Sequence, residues 1–207
     1  MAPVRDVRVC VLGDSFVAGV GDPKALGWVG RVAARTPPST GVALTLYPLG
    51  VRGQSTEDVV VRMPLEVSPR FARGDEHGVV LSVGIADAFA AVPVARSAAT
   101  LEFGLRSTDV SRLVVGPPPV GPPEVRQRLA ALDTTFAGVS ERLGVRYIST
   151  YAPLAGHGPW QRQRFVDGVH PGQTGYGMLA FVILNGGWYE WLEVEAPTST
   201  GGRPGRR

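Results

Sequence analysis

The stretch Val7-Arg8-Val9-Cys10-Val11-Leu12-Gly13-Asp14-Ser15 decides the fold. Its near-continuous apolar run fits a strand buried on both faces, as in a parallel sheet. The run stops at a glycine, and a serine follows at the strand's carboxyl end. In open α/β sheets that end faces the ligand crevice, where a hydroxyl can serve as a nucleophile. Gly-Asp-Ser also occurs in plain turns, because all three residue types favour them. A second segment supplies partners: Asp167-Gly168-Val169-His170-Pro171 sets an acid and an imidazole three positions apart. The chain order Ser…Asp…His is one in which catalytic triads occur.

Outward from the first strand, the pattern alternates. Strands are expected over 7–12, 42–47, 79–84, 112–116 and 145–149, all short and rich in Val, Leu and Ile. Helices are expected over 28–35, 54–63, 86–104, 124–143 and 172–194. In the fourth, Val125, Leu129, Leu132, Phe136, Val139 and Leu143 recur at steps of four and three, which places them on one helical face. Gly144 then gives a stop before Val145. Five strand–helix alternations imply right-handed crossovers and a three-layer α/β/α sandwich on a five-stranded parallel sheet. Gly116-Pro-Pro-Pro-Val-Gly-Pro-Pro123 reads as a stiff loop after the fourth strand, either a pocket wall or a rigid connection.

Composition bounds the function. With 207 residues, 44% hydrophobic and 19% charged, the chain is long enough for one full core. The formal charge is +3, but Arg203, Arg206 and Arg207 fall in the last twelve positions, which hold no acid. The remainder carries 18 basic and 18 acidic residues. A domain over 1–195 is therefore neutral, followed at 196–207 by a basic tail of disordered composition, and nucleic acid is not an expected partner. One cysteine, Cys10, excludes an internal disulfide and reads as a core residue. The first strand begins too early for a signal peptide, and no apolar run reaches the ~18 residues of a membrane span. The expected compartment is the cytoplasm. The oligomeric state is open.

Ser15, His170 and Asp167 can act as nucleophile, base and orienting acid if the late loop folds over the first strand's end. Pro171 biases His170 away from helical backbone and can open the following helix. Asp167 as a turn acid and His170 as a helix cap is the plainer alternative. His157, in the loop after the fifth strand, is a candidate substrate contact. Three histidines and no cluster of ligand spacing leave no metal site expected. Gly13, Gly19 and Gly21 fit no phosphate-binding loop, so no nucleotide cofactor is expected. Leu49-Gly-Val-Arg-Gly53-Gln54 and Val83-Gly84-Ile-Ala86-Asp87 follow the second and third strands, where donors for an oxyanion could sit.

Gly13-Asp-Ser15, Leu49-Gly-Val-Arg-Gly53, Gly84-Ile-Ala-Asp87 and Asp167-Gly-Val-His170-Pro together resemble the four blocks of the SGNH/GDSL hydrolases, in the same order across residues 7–193. The stretch Gly13 to Trp28 is also similar to bacterial members. The resemblance implies a flavodoxin-like α/β/α fold and cofactor-free hydrolysis of a small or medium acyl ester or thioester. Carried over by position, Ser15 is the nucleophile, His170 the base and Asp167 its orienter, with the amides of Ser15 and Gly53 in the oxyanion hole.

The third block departs from that family. Where its pattern has an asparagine donating to the oxyanion, this chain has Ala86. Losing one such donor costs on the order of 10²–10³ in kcat. Gln54 is the first candidate to replace it, and Asp87 a further candidate substrate contact. An activated thioester that needs only two amides is a second explanation, and an acyl-binding protein of weakened catalysis a third. Acyl transfer through the same acyl-enzyme is the alternative to hydrolysis.

Overall fold

The computed structural model describes residues 4–37, 41–163 and 167–197. Five strands, β1 (Arg5–Gly13), β2 (Val42–Gly50), β3 (Glu76–Ser82), β4 (Ser111–Val115) and β5 (Arg146–Ile148), form one parallel sheet in the order β2-β1-β3-β4-β5. All five expected strands are present, with ends shifted by at most three residues. β1 is central, and Val9, Cys10, Val11 and Leu12 are fully buried, as a two-sided strand requires. Burial pushes the Cys10 thiol up to about 11, in keeping with a core residue.

The strand order fixes the layers. The β1→β2 crossover through α1 (Gly27–Ala34) runs one way along the sheet. The crossovers through α2 (Thr56–Val67), α4 (Val94–Arg106) and α5 (Pro123–Arg142) run the other way. Right-handed connections then put α1 on one face and α2, α4 and α5 on the other. Packing agrees: α4 lies against both α2 and α5, while α1 lies against α8 (Gln173–Ile183). The direction of winding reverses at β1, which places the ligand crevice at its carboxyl end.

Three helical boundaries differ from expectation. The helix expected over 86–104 is two, α3 (Ile85–Phe89) and α4, because Pro93 caps the second and Ala91 turns to φ +52° between them. The helix expected to stop at 63 runs to Val67 through Pro64: its row Thr56, Val59, Val60 and Met63 is buried, and that packing outweighs the one donor lost. The helix expected over 172–194 is α8, then a π-helical turn (Leu184–Trp188) kinked at Gly187, then α9 (Tyr189–Trp191). Two short helices, α6 (Tyr151–Ala155) and α7 (Gly158–Arg162), fill a stretch expected to be loop. Of the basic tail, residues 198–207 lie outside the described residues.

Candidate active site

Directly after β1 the chain turns on its own side chains. Asp14 Oδ1 accepts the Phe16 amide at 2.9 Å, and the Ala18 amide donates to the Asp14 carbonyl at 3.1 Å. This turn fixes Ser15 at the sheet's carboxyl edge, 7% exposed. β2 ends hard against it: a Cβ on Gly50 would lie 2.1 Å from the Ala18 nitrogen, so only glycine permits the approach.

The late loop is equally self-organised. Asp167 Oδ1 accepts the amides of Val169 and His170, both at 3.0 Å, which closes an Asx-type turn. Its other oxygen, Oδ2, lies 2.5 Å from His170 Nδ1. Burial alone would raise the Asp167 carboxyl; the bonds from the His170 ring and the two amides outweigh it and hold the group down to about 2. The remaining ring nitrogen, Nε2, lies 2.7 Å from Ser15 Oγ. The Phe16 ring supports the imidazole at a centroid distance of 5.4 Å.

Two contacts tie this loop to the turn. Tyr176, on α8, donates its hydroxyl to the Val20 carbonyl at 2.8 Å. Gly21 approaches Pro171 so closely that a Cβ there would lie 2.9 Å from the Pro171 carbonyl oxygen. Ser15, Asp167 and His170, far apart in sequence, are thus brought together.

A cavity of about 480 Å³ opens over Ser15, within the size range of small-molecule sites. Asp14, Arg52, Gly53, Ala86, Phe89 and His170 are among its walls. Among the described residues, neither the Ser15 amide nor the Gly53 amide has a protein acceptor, so both are available to a ligand oxygen. Gly53 adopts φ +77°, a left-handed conformation costly for other residues, and this turns its loop at the cavity edge. Ala86 is at the wall as expected, and its methyl donates nothing. Pro119, Val120, Gly121, Pro122 and Pro123 line a neighbouring cleft of about 670 Å³, so the proline-rich stretch is a wall.

Three expected contacts are placed elsewhere. Gln54 does not line the cavity, and its side-chain oxygen accepts from Arg62 Nε at 2.5 Å. Asp87 is 2% exposed and its carboxylate is spent inside the fold. Oδ2 accepts the Thr56 amide at 2.8 Å and hydroxyl at 3.0 Å, and Oδ1 accepts the Ser97 hydroxyl at 2.7 Å. His157 caps α7, with Nδ1 accepting the Trp160 amide at 3.3 Å. Each is drawn off by a local backbone or buried partner.

Two residues were not singled out from sequence. Arg62 donates to the Gly13 carbonyl at 3.0 Å and the Leu49 carbonyl at 2.6 Å, joining the ends of β1 and β2. Asp14 is fully enclosed, Oδ2 has no hydrogen-bond partner among the described residues, and burial pushes its carboxyl up to about 7. No sequence signal distinguishes Arg62 from other helical arginines. Asp14 sits in the motif itself, but its enclosure depends on the whole fold.

Comparison with known proteins bears on the fold and the family. No curated protein sequence matches the chain. Among solved structures, a lipase/acylhydrolase from Enterococcus faecalis is 22% identical with a TM-score of 0.73, covering 93% of this chain and 99% of that one. A member of the lipolytic protein G-D-S-L family from Veillonella parvula is 19% identical with a TM-score of 0.73, covering 87% and 97%. The acetylxylan esterase Axe2 from Geobacillus stearothermophilus is 19% identical with a TM-score of 0.71, covering 90% and 95%. These likenesses show the fold. The profile of the GDSL-like Lipase/Acylhydrolase family matches residues 11–178, well over half the chain, and the protein therefore belongs to that family of ester-type hydrolases.

Proposed function

We propose that this protein hydrolyses a small or medium acyl ester or thioester through an acyl-enzyme on Ser15. The observation that carries the reading is the continuous contact from Asp167 Oδ2 through His170 Nδ1 and Nε2 to Ser15 Oγ, at 2.5 and 2.7 Å. Solved structures of Axe2 include catalytic mutants in which a serine, a histidine or an aspartate three positions before that histidine is replaced by alanine, which is the same residue set and spacing.

In this reading Ser15 Oγ attacks the acyl carbon as His170 Nε2 takes its proton. The carbonyl oxygen becomes an oxyanion that accepts from the Ser15 and Gly53 amides. Collapse breaks the bond to the leaving alkoxide or thiolate, which receives the proton from His170. Water then attacks the acyl-enzyme with His170 as base, releasing the acid and restoring the hydroxyl. Asp167, held by two amides, keeps Nδ1 protonated and Nε2 free to accept.

A second reading, an acyl-binding protein with little turnover, is favoured by Ala86, since one expected oxyanion donor is missing. A fluorescent alkyl phosphonate probe, with peptide mapping, separates the two. The hydrolase reading expects a single label at Ser15, lost in His170→Ala. A folded wild-type protein that takes no label supports the binding reading.

A further inference from the structure

Arg52 follows β2 in the loop that presents Gly53, and it lines the cavity that Ser15 and His170 line. It is exposed, and its guanidinium makes no hydrogen bond or ion pair among the described residues. Its cationic neighbours in the fold are committed. Arg62 is held by the Gly13 and Leu49 carbonyls and Gln54, and Arg96 pairs with Glu57. Arg126, in the adjoining cleft, donates to the Gly121 carbonyl at 2.6 Å. The side chains of Arg73, Arg146 and Arg162 also lack hydrogen-bond and ion-pair partners among the described residues, but none of them lines the Ser15 cavity.

Neither acid of the site pairs with Arg52 among the described residues. Asp14 is enclosed and, being pushed up to about 7, is only partly charged at neutral pH. Asp167 is engaged by His170 and two backbone amides. Apart from Ser15 and His170, the other cavity walls named above are apolar or backbone. The cavity therefore carries one unpaired guanidinium on the same wall set as the serine.

Two roles would use that charge: stabilising the oxyanion, or holding a charged part of the substrate. An oxyanion donor must be fixed by the protein before the reaction. Arg52 has no partner that fixes it, and it is exposed. A flexible guanidinium at a cavity mouth instead suits a fork-shaped grip on a planar anion.

We infer that Arg52 selects esters carrying an anionic group, a carboxylate, sulfate or phosphate, near the scissile bond. The inference rests on the hydrolase reading above. The anion can belong to the leaving group or to the acyl part, and both placements are testable.

The test compares kcat/KM within two charge pairs: 4-acetoxybenzoate against its methyl ester, and mono-4-nitrophenyl glutarate against its methyl ester. Wild type is expected to prefer the anion by about 10-fold in at least one pair, the size of one charge-assisted contact. Arg52→Gln should collapse that ratio, Arg52→Lys should restore part of it, and added salt should shrink it. A ratio near one in both pairs, or a preference that Arg52→Gln leaves intact, overturns the inference. The second outcome includes equal slowing of anionic and neutral esters.

Binding of 4-acetoxybenzoate to Ser15→Ala protein, by titration calorimetry, keeps the test separate from turnover. If wild type hydrolyses no ester, the hydrolase reading fails while this arm still decides on Arg52. Weakening of about 10-fold in Ser15→Ala/Arg52→Gln supports anion recognition. Absent binding, or equal binding, overturns it.

Discussion

Arg62 reaches from the middle of α2 to the carbonyl oxygen of Gly13, 3.0 Å away, and so grips the last residue of the strand that leads into Ser15. The same guanidinium donates to the Leu49 carbonyl at 2.6 Å, near the end of the strand that leads into Gly53. One side chain thereby ties together the strand ends that lead into Ser15, the proposed nucleophile, and Gly53, a candidate oxyanion donor. Arg62→Met should lower kcat on an aryl ester by about 10-fold or more with a smaller change in KM, since misplacement by about 1 Å costs up to 10². Arg62→Lys should recover part of the loss. Steady-state kinetics on folded variants checks both, and a change confined to KM would contradict the role.

Asp14 predicts how stability varies with pH. Its folded carboxyl titrates near 7, above the ordinary 3.8, so between pH 4 and 7 the folded state holds a proton that the unfolded state has released. Stability contributed at low pH is lost as pH rises through that window, by as much as roughly 4 kcal/mol at full ionisation. Asp167 has the opposite sign: its depressed value gives stability above pH 4 that disappears as pH falls toward 2. Asp14→Asn should flatten the decline between pH 4.5 and 8 in urea-melt midpoints. Parallel curves for the variant and wild type would show that Asp14 does not titrate there.

Asp87 is a crosspiece between helices. Its carboxylate joins the amino-terminal turn of α2, through Thr56, to Ser97 on α4. Asp87→Ala strands a buried amide and two hydroxyls, and should cost about 2–4 kcal/mol in denaturant unfolding. Asp87→Asn, which keeps an acceptor, should cost less. Because α3 also carries Ala86, activity should fall with stability.

Ala86→Asn places an amide donor on the wall of the Ser15 cavity. If two backbone amides leave the oxyanion under-stabilised, kcat on 4-nitrophenyl acetate should rise by roughly 10-fold or more. An unchanged or lower kcat, with the fold intact by circular dichroism, would mean that the cavity is shaped around alanine.

Much of the architecture is legible in the residues themselves. The apolar runs locate five strands because a doubly covered strand must be apolar on both faces, and Asp167-Gly-Val-His170 reveals its turn because the acid can serve its own backbone. The misplaced side chains fail for one shared reason. Gln54, Asp87 and His157 each face a competing partner, Arg62, Thr56 or the Trp160 amide, that tertiary contact or local capping supplies. Helix ends at Pro64 and Pro93 depart from expectation because one proline is overridden by a buried helical face and the other is not.

The 155 positions between Ser15 and His170 have a consequence for synthesis. The serine leaves the ribosome early, just after a strand that is flanked by β2 and β3 once roughly the first 80 residues have emerged. His170, its proposed base, arrives only with the final quarter of the chain, and Tyr176 on the helix beyond ties that region to the turn after β1. A nascent or truncated chain ending before Asp167 would carry Ser15 without the two residues proposed to activate it. Esterase activity would then appear late and abruptly, as a sign that translation had run through to that last long helix.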